Sequence, residues 1–293
     1  MDAFYARVVA LVAAVMAAGL AVGAQSHPTI QPVPGNVNSV LFEVGNSMGM
    51  LRELAYEDLI VTQELWATGS ITINGQTSEL TDYRQSVNYR IPGLREDLSF
   101  VGASGPTRRI QVVAESFAWN ETERGMGATL APQAVRERLV QLWTTPMGIY
   151  KAATLAGDQA TVETSGADTV LTFPLPAPVS DVTVRATLST DSAHMVEPHE
   201  LAFPGLVGTY ILRAETLGGV VSDTTYAEYG EWNPDDYRSD VMLPRRIVQR
   251  RADGTVLDLT IRETNTYNPY VVMPVPDAAR AAGTPSWIPR ALV

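Results

Sequence analysis

The stretch that decides the fold is residues 240–261, DVMLPRRIVQRRADGTVLDLTI. Asp253-Gly254 stands between two β-rich runs, and this dipeptide is a strong signal for a β-hairpin because glycine accepts the positive φ of a tight turn. With a three-residue loop, 252–254, Ile247 faces Leu259. The inward face then carries Leu243, Ile247, Leu257, Leu259 and Ile261, and the outward face carries Arg246, Arg250, Asp258 and Arg262. A slip of one residue would bury the charges and would favour an anionic head group as ligand, so the first register is predicted.

The rest of the chain predicts two groups of strands separated by helices. Period-two alternation gives a first group at Leu59–Ile73, Tyr83–Ile91, Leu94–Phe100 and Ile110–Trp119. It gives a second group at Thr169–Leu175, Asp181–Leu188, His194–Val196, Thr209–Thr216 and Asp223–Trp232, before the hairpin. The turns between the strands are short, and parallel strands would need long crossovers, so both groups are predicted to be antiparallel meanders.

Three helices are predicted from apolar residues at helical spacing. The first spans Asn38–Ala55, the second starts at Ala131-Pro132, and the third follows Thr145-Pro146 and runs through Leu155. The predicted fold class is therefore mainly β with α (α+β): a single large curved antiparallel sheet, an incomplete β-barrel, with helices covering its concave face. This domain is expected to span 38–276, and 277–293 to form a tail in which Trp287 is a possible anchor.

The N-terminus reads as a signal peptide at 1–24. An apolar run from Val8 to Ala21 is followed by small residues, which predicts cleavage near Ala24 and a periplasmic or secreted bacterial protein. The alternative is an uncleaved N-terminal anchor. Prolines at 28, 32 and 34 predict an extended lead-in at 25–37.

Composition excludes several classes of protein. The sequence has no cysteine, which excludes disulfides and thiolate metal sites. Its formal net charge of −11 argues against nucleic acid as a partner, because phosphate binding needs a basic face.

Two motifs could carry chemistry, and each has a structural alternative. Gly45-Asn-Ser47-Met-Gly49 fits the Gly-x-Ser-x-Gly elbow of serine hydrolases, but an elbow needs a parallel α/β sheet around it. The alternative is a helix whose small residues allow close packing. His194 and His199 lie near carboxylates, but they are five residues apart with Pro198 between them, so a turn is favoured and no metal site is predicted.

Charged and aromatic residues on the predicted strands are the remaining candidates. Glu96 shares a strand face with Leu94, Leu98 and Phe100, so it is expected to point inward and either to pair with an arginine or to have a raised pKa. Aromatic residues concentrate on the first meander and the helices, where they pack a core or line a cavity for a lipophilic ligand. The candidate cavity residues are Trp66, Tyr83, Tyr89, Phe100, Phe117, Trp119, Trp143 and Tyr150.

The C-terminal motifs resemble those of LolA-like proteins. The pattern consists of DVMLPRRI at 240–247, the Ala-Asp-Gly turn, LDLTI at 257–261 and NPYVVMPVP at 268–276. This superfamily includes the periplasmic lipoprotein carrier, outer-membrane lipoprotein-sorting proteins and mycobacterial lipid carriers, so the resemblance implies an incomplete barrel with helices over an apolar cavity. YRQSVNY at 83–89, LREDL at 94–98, AWN at 118–120 and LWTTPMGIYKAA at 142–153 look more like an uncharacterised segment that precedes some secreted metallo-β-lactamase-fold hydrolases. The hydrolase motif His-x-His-x-Asp-His does not occur in the sequence.

The expected function is therefore non-enzymatic: binding or carrying an acyl chain or other lipophilic molecule between sheet and helices, with no cofactor. One alternative is an accessory module that partners a separately encoded secreted metallo-hydrolase, a redox protein or a membrane-associated protein. The other is a serine hydrolase that uses Ser47.

Overall fold

The computed structural model describes residues 35–52, 57–102, 105–166, 168–189, 208–218, 225–234, 241–252, 254–266 and 268–288. All of them belong to one compact unit, Pro32–Val293. The predicted signal peptide, most of the lead-in, the predicted strand at His194–Val196 and the two histidines near it lie outside the described residues.

Thirteen of the described strands form one antiparallel sheet. The first meander contains β3 (Thr62–Ile73), β4 (Gln76–Asn88), β5 (Gly93–Gly102), β6 (Gly105–Ala114), β7 (Phe117–Glu121) and β8 (Thr129–Leu130). The second contains β9 (Thr161–Ser165), β10 (Asp168–Pro174), β11 (Val182–Ser189), β12 (Tyr210–Gly218), β13 (Thr225–Pro234), β14 (Met242–Arg251) and β15 (Gly254–Asn265). The predicted fold class is confirmed.

The two meanders join at the centre of the sheet. The strand order is 8-7-6-5-4-3-15-14-13-12-11-10-9, so the first strand of one meander pairs with the last strand of the other. Among the described strands, β8 and β9 form the two edges and do not pair, and the sheet stays open. At the central seam, Leu259 lies opposite Gly69.

Four α-helices accompany the sheet in the described part of the chain. They are α1 (Val37–Ser47), α2 (Val135–Trp143), α3 (Pro146–Ala156) and α4 (Asp277–Ala282). The Asn36 side chain caps α1 by accepting from Ser39 N at 3.0 Å, and Thr145 caps α3 by accepting from Gly148 N at 3.2 Å. The α2–α3 pair connects edge strand β8 to edge strand β9 along the chain.

Helix α1 is shorter than predicted. It ends at Ser47, and Gly49 takes a positive φ of 66°. A short strand, β1 (Leu51–Arg52), lies where the helix was expected to continue, and it pairs with β2 (Glu57–Asp58) just beyond the predicted end. The apolar spacing from Leu51 to Ala55 fits a helix, but the left-handed glycine ends it first.

The hairpin has the predicted register. Ile247 pairs with Leu259, and all five residues predicted to face inward are buried. On the other face, Arg246 Nη2 lies 3.0 Å from Asp258 Oδ2. The turn differs in detail: Arg251 pairs with Gly254, and the register shifts between Gln249 and Arg250. This irregularity takes up the one-residue difference, so the predicted faces are kept.

Several strand bounds differ from the sequence predictions, and β4 for example begins at Gln76, seven residues before the predicted Tyr83. The predicted strand Ile110–Trp119 is a hairpin, because the chain turns at Glu115, which has a φ of 55°. A non-glycine residue at positive φ gives little warning in a sequence. Neither edge strand was predicted, although β8 pairs with β7 and β9 pairs with β10.

Apolar residues pack on both faces of the sheet. The larger core lies between the sheet and helices α1–α3, and we call that face of the sheet the inner face. The smaller core lies on the outer face, where β6 and β7 contact Val271, Met273, Val275 and Ala279 of the C-terminal segment. Adjacent residues of β6 divide between the two, with Val113 in the larger core and Val112 in the smaller. The predicted tail is anchored as far as it is described: Ile288 is buried, and the Arg136 guanidinium lies 5.5 Å from the Trp287 ring centroid.

Candidate functional site

The eight candidate aromatic residues do not line one cavity. Tyr83, Tyr89, Phe100, Trp143 and Tyr150 belong to the larger core, Phe117 and Trp119 belong to the smaller core, and Trp66 belongs to neither. Trp66 is on the outer face, where the Arg84 guanidinium lies 5.0 Å from its ring centroid. Phe117 and Trp143 are the two members that also line an open cleft.

The cleft has a volume of about 560 Å³ and lies at one end of the sheet. Its walls come from three turns, helix α2 and helix α4. The lining residues are Pro92, Glu115, Ser116, Phe117, Leu139, Trp143, Ala177, Pro178 and Arg280. The cleft is about half open to solvent, so it is a surface depression and not an enclosed pocket.

The cleft has apolar walls and a charged rim. Leu139 and Trp143 are one turn apart on α2 and form the floor of the cleft, where both are almost fully buried as part of the larger core. At the rim, Arg280 Nη2 lies 3.1 Å from Glu115 Oε1, and the guanidinium is 5.8 Å from the Phe117 ring centroid. Both charged side chains are about half exposed, so the pair contributes little to stability and can open to admit a ligand.

A buried carboxyl group fastens α2 to the inner face. Glu96 points inward as predicted and accepts hydrogen bonds from the Tyr83 hydroxyl and, at 2.6 Å, from Gln141 Nε2. Burial raises the pKa of Glu96 above the usual range, although the bonds from Tyr83 and Gln141 oppose that shift. Gln85 Nε2 completes the group by donating to the Tyr83 hydroxyl at 3.0 Å. This cluster joins two strands to a helix, which is a structural role.

Two further polar contacts fix the helices. Arg138 of α2 donates through Nη1 to the carbonyls of Val112 and Trp119, at 2.9 and 2.7 Å. On α3, Lys151 pairs with Asp58, and burial lowers the pKa of Lys151 while Asp58 opposes the shift. Arg138 therefore fastens α2 to the large sheet, and Lys151 fastens α3 to β2.

Ser47 has a structural environment. It lies in the last turn of α1, its Oγ accepts from Thr209 N at 2.9 Å, and Glu43 Oε1 accepts from Thr209 Oγ1 at 2.6 Å. A nucleophile elbow places serine between a strand and a helix of a parallel sheet, whereas every described ladder here is antiparallel. At Gly45, an added Cβ would lie 2.8 Å from the Tyr150 ring, which matches the close-packing interpretation of the motif.

The described residues offer no group of three histidine, cysteine or acidic side chains that could hold a metal ion. No helix in the described part of the chain is long and apolar enough to cross a membrane.

Comparison with known proteins finds similarity only to solved structures. No family profile and no curated protein matches the chain. Among solved structures, the chain is similar to a LolA superfamily protein from Nitrosomonas europaea, with 12% sequence identity and a TM-score of 0.39. The match covers 83% of this chain and 96% of that chain.

Proposed function

We propose that the protein is a non-enzymatic periplasmic or secreted binder or carrier of a lipophilic molecule such as an acyl chain. The observation that carries the proposal is the open cleft of about 560 Å³ with Leu139, Trp143 and Phe117 in its walls. Apolar lining with a few polar groups is typical of sites for lipophilic ligands. The periplasmic or secreted location follows from the predicted signal peptide.

The proposed site is the cleft at one end of the sheet, whereas the sequence predicted a cavity between the sheet and the helices. The layer between sheet and helices is occupied by buried side chains, including Tyr83, Tyr89 and Tyr150. The cleft lies where this layer meets the turns, so Trp143 can contact both the core and a bound chain. Arg280 at the rim is suited to a ligand with an acidic end.

The first experiment is native mass spectrometry of protein purified from its host, followed by titration with a brominated fatty acid. Bromine quenches indole fluorescence on contact, so binding in the cleft is expected to quench Trp143. The variant Trp143→Phe should keep binding and lose most of the quenching. A protein that carries no hydrophobic molecule and shows no quenching would contradict the proposal.

A cleft-filling variant gives the second experiment. Ala177 is exposed and lines the cleft, so Ala177→Trp should occupy the space and weaken fatty-acid binding at least tenfold. Ala252 is also exposed but lies in the hairpin turn, so Ala252→Trp is the matched control and should bind as wild type. Equal affinity in both variants would rule out the cleft as the site.

The alternative of an accessory module for a separately encoded secreted hydrolase stays a prediction. Serine hydrolysis by Ser47 is disfavoured by its helical position and its hydrogen bond to Thr209.

A further inference from the structure

The outer face of β3–β7 carries a partly buried network of charges. Four guanidinium groups, those of Arg84, Arg95, Arg108 and Arg124, lie among three carboxylates, those of Glu64, Asp97 and Glu121. All three carboxylate side chains are at most 6% exposed. Buried ions are tolerated only when their charges and hydrogen bonds are matched, so each donor without a partner needs an explanation.

The carboxylate oxygens already accept from identified donors. Glu64 accepts from Arg84, Ser86 and Asn268, at 2.9, 2.7 and 2.8 Å. Asp97 accepts from Arg108 Nε and Nη2, at 2.8 and 2.7 Å.

Glu121 is engaged in the same way. It accepts from Arg95 Nη2 and Trp119 Nε1, both at 3.0 Å, and from Gly125 N at 2.8 Å. Every carboxylate oxygen of the network therefore has at least one donor.

Three guanidinium nitrogens in the network are buried and have no hydrogen-bond partner. They are Arg84 Nε, Arg95 Nε and Arg124 Nη1. The Arg95 side chain is 9% exposed, so its unpartnered Nε is deep in the network. Arg124 Nη1 lies 3.8 Å from Asp97 Oδ2, within ion-pair range but beyond a hydrogen bond.

The three arginines surround Ser86. Arg124 Nη2 donates to Ser86 Oγ at 2.9 Å, Arg95 is the cross-strand partner of Ser86, and Arg84 lies two residues away on the same strand face. Burial lowers the pKa of Arg124, and the neighbouring charges of Arg84 and Arg95 lower it further, as expected for cations held close together.

We propose that Arg84, Arg95 and Arg124 form a binding site for a phosphate group on the outer face, centred on Ser86. A phosphate supplies the acceptors that the three nitrogens lack. The Arg84 and Arg124 side chains are 33% and 23% exposed, so the phosphate enters on the side where these two arginines reach solvent. The Arg124 side chain moves to admit it. The phosphate site is separate from the cleft, so a negative result for it would not bear on the proposed carrier function.

The test is calorimetric titration with inorganic phosphate at constant ionic strength, set with sodium chloride. Wild type should bind, and Arg124→Gln should weaken binding at least tenfold. Arg90 is exposed and lies outside the network, so Arg90→Gln is the control and should bind as wild type. Circular dichroism checks that both variants are folded. Arg124→Lys keeps the positive charge but loses the planar guanidinium group, so its affinity for phosphate should lie between those of wild type and Arg124→Gln.

A second arm titrates a short-chain phosphatidic acid below its micelle concentration into Ala177→Trp, whose cleft is filled. If the protein binds inorganic phosphate but not the phosphatidic acid, the ligand is a free anion. If it binds both probes, and Arg124→Gln binds neither, the ligand is a lipid head group. No binding of either probe, or equal binding in Arg124→Gln and wild type, would overturn the proposal.

Discussion

Replacing Ile247 by alanine tests the register on which the sheet is built. Ile247 is 6% exposed and pairs with Leu259 in the larger core. The change removes three carbon groups, which cost about 2.4 kcal/mol at about 0.8 kcal/mol each. A residual cavity of about 30 Å³ adds about 0.7 kcal/mol at about 24 cal/mol per Å³. We therefore expect Ile247→Ala to lower the free energy of unfolding by about 3 kcal/mol.

The adjacent residue provides the matched control. Arg246 is on the outer face in an exposed pair with Asp258, so Arg246→Ala should cost less than about 1 kcal/mol. Urea denaturation followed by circular dichroism measures both variants, and the m-value should stay unchanged. In thermal melts the loss at Ile247 corresponds to about 6–12 °C. If Arg246→Ala cost as much as Ile247→Ala, the inward and outward faces would be assigned incorrectly.

Two other predictions test the seam and the buried carboxyl group. Gly69→Ala should destabilise the protein by several kcal/mol, because the new Cβ would lie 1.8 Å from the Asp258 carbonyl oxygen and the backbone φ is 154°. The control is Gly230→Ala, whose new Cβ would meet nothing within 4 Å. It should cost at most about 1 kcal/mol when both variants are unfolded in urea. Glu96 has a raised pKa in the folded state, so the folded state holds its proton more tightly and stability should fall as pH rises from the ordinary carboxyl range through the folded pKa. Glu96→Gln keeps a hydrogen-bond acceptor for Tyr83, and it should remove most of this decrease when the free energy of unfolding is measured against pH. If the pH profile of the variant were identical to that of wild type, Glu96 would not titrate in this way.

The hairpin shows how much of the fold could be predicted. Its faces follow from alternation alone, because a one-residue slip would exchange Ile247 with charged neighbours. The turn at Glu115 could not be found this way, since Val112, Val113 and Ala114 are all apolar and hide the change of phase at the turn, and the positive φ falls on a glutamate. Helix α1 was predicted too long because Leu51 fits helical spacing although Gly49 has already ended the helix.

The candidate site was less predictable than the fold. Sequence alone indicates that Phe117 and Trp143 are apolar and in ordered elements, but their meeting at one cleft depends on turns from distant parts of the chain. The arginine network was equally hidden. Arg124 comes from a loop after β7 and reaches Ser86, 38 residues earlier, and no local pattern indicates that contact.

The central seam has a consequence for the order of synthesis. Strand β3 is made early, and its partner on one side, β15, is the last strand of the sheet. Until residues 254–265 have emerged, β3 is an unprotected edge able to pair with another chain. A nascent or truncated chain that lacks the hairpin therefore carries a ready template for aggregation, and a chaperone that shields Thr62–Ile73 would protect it until β15 arrives.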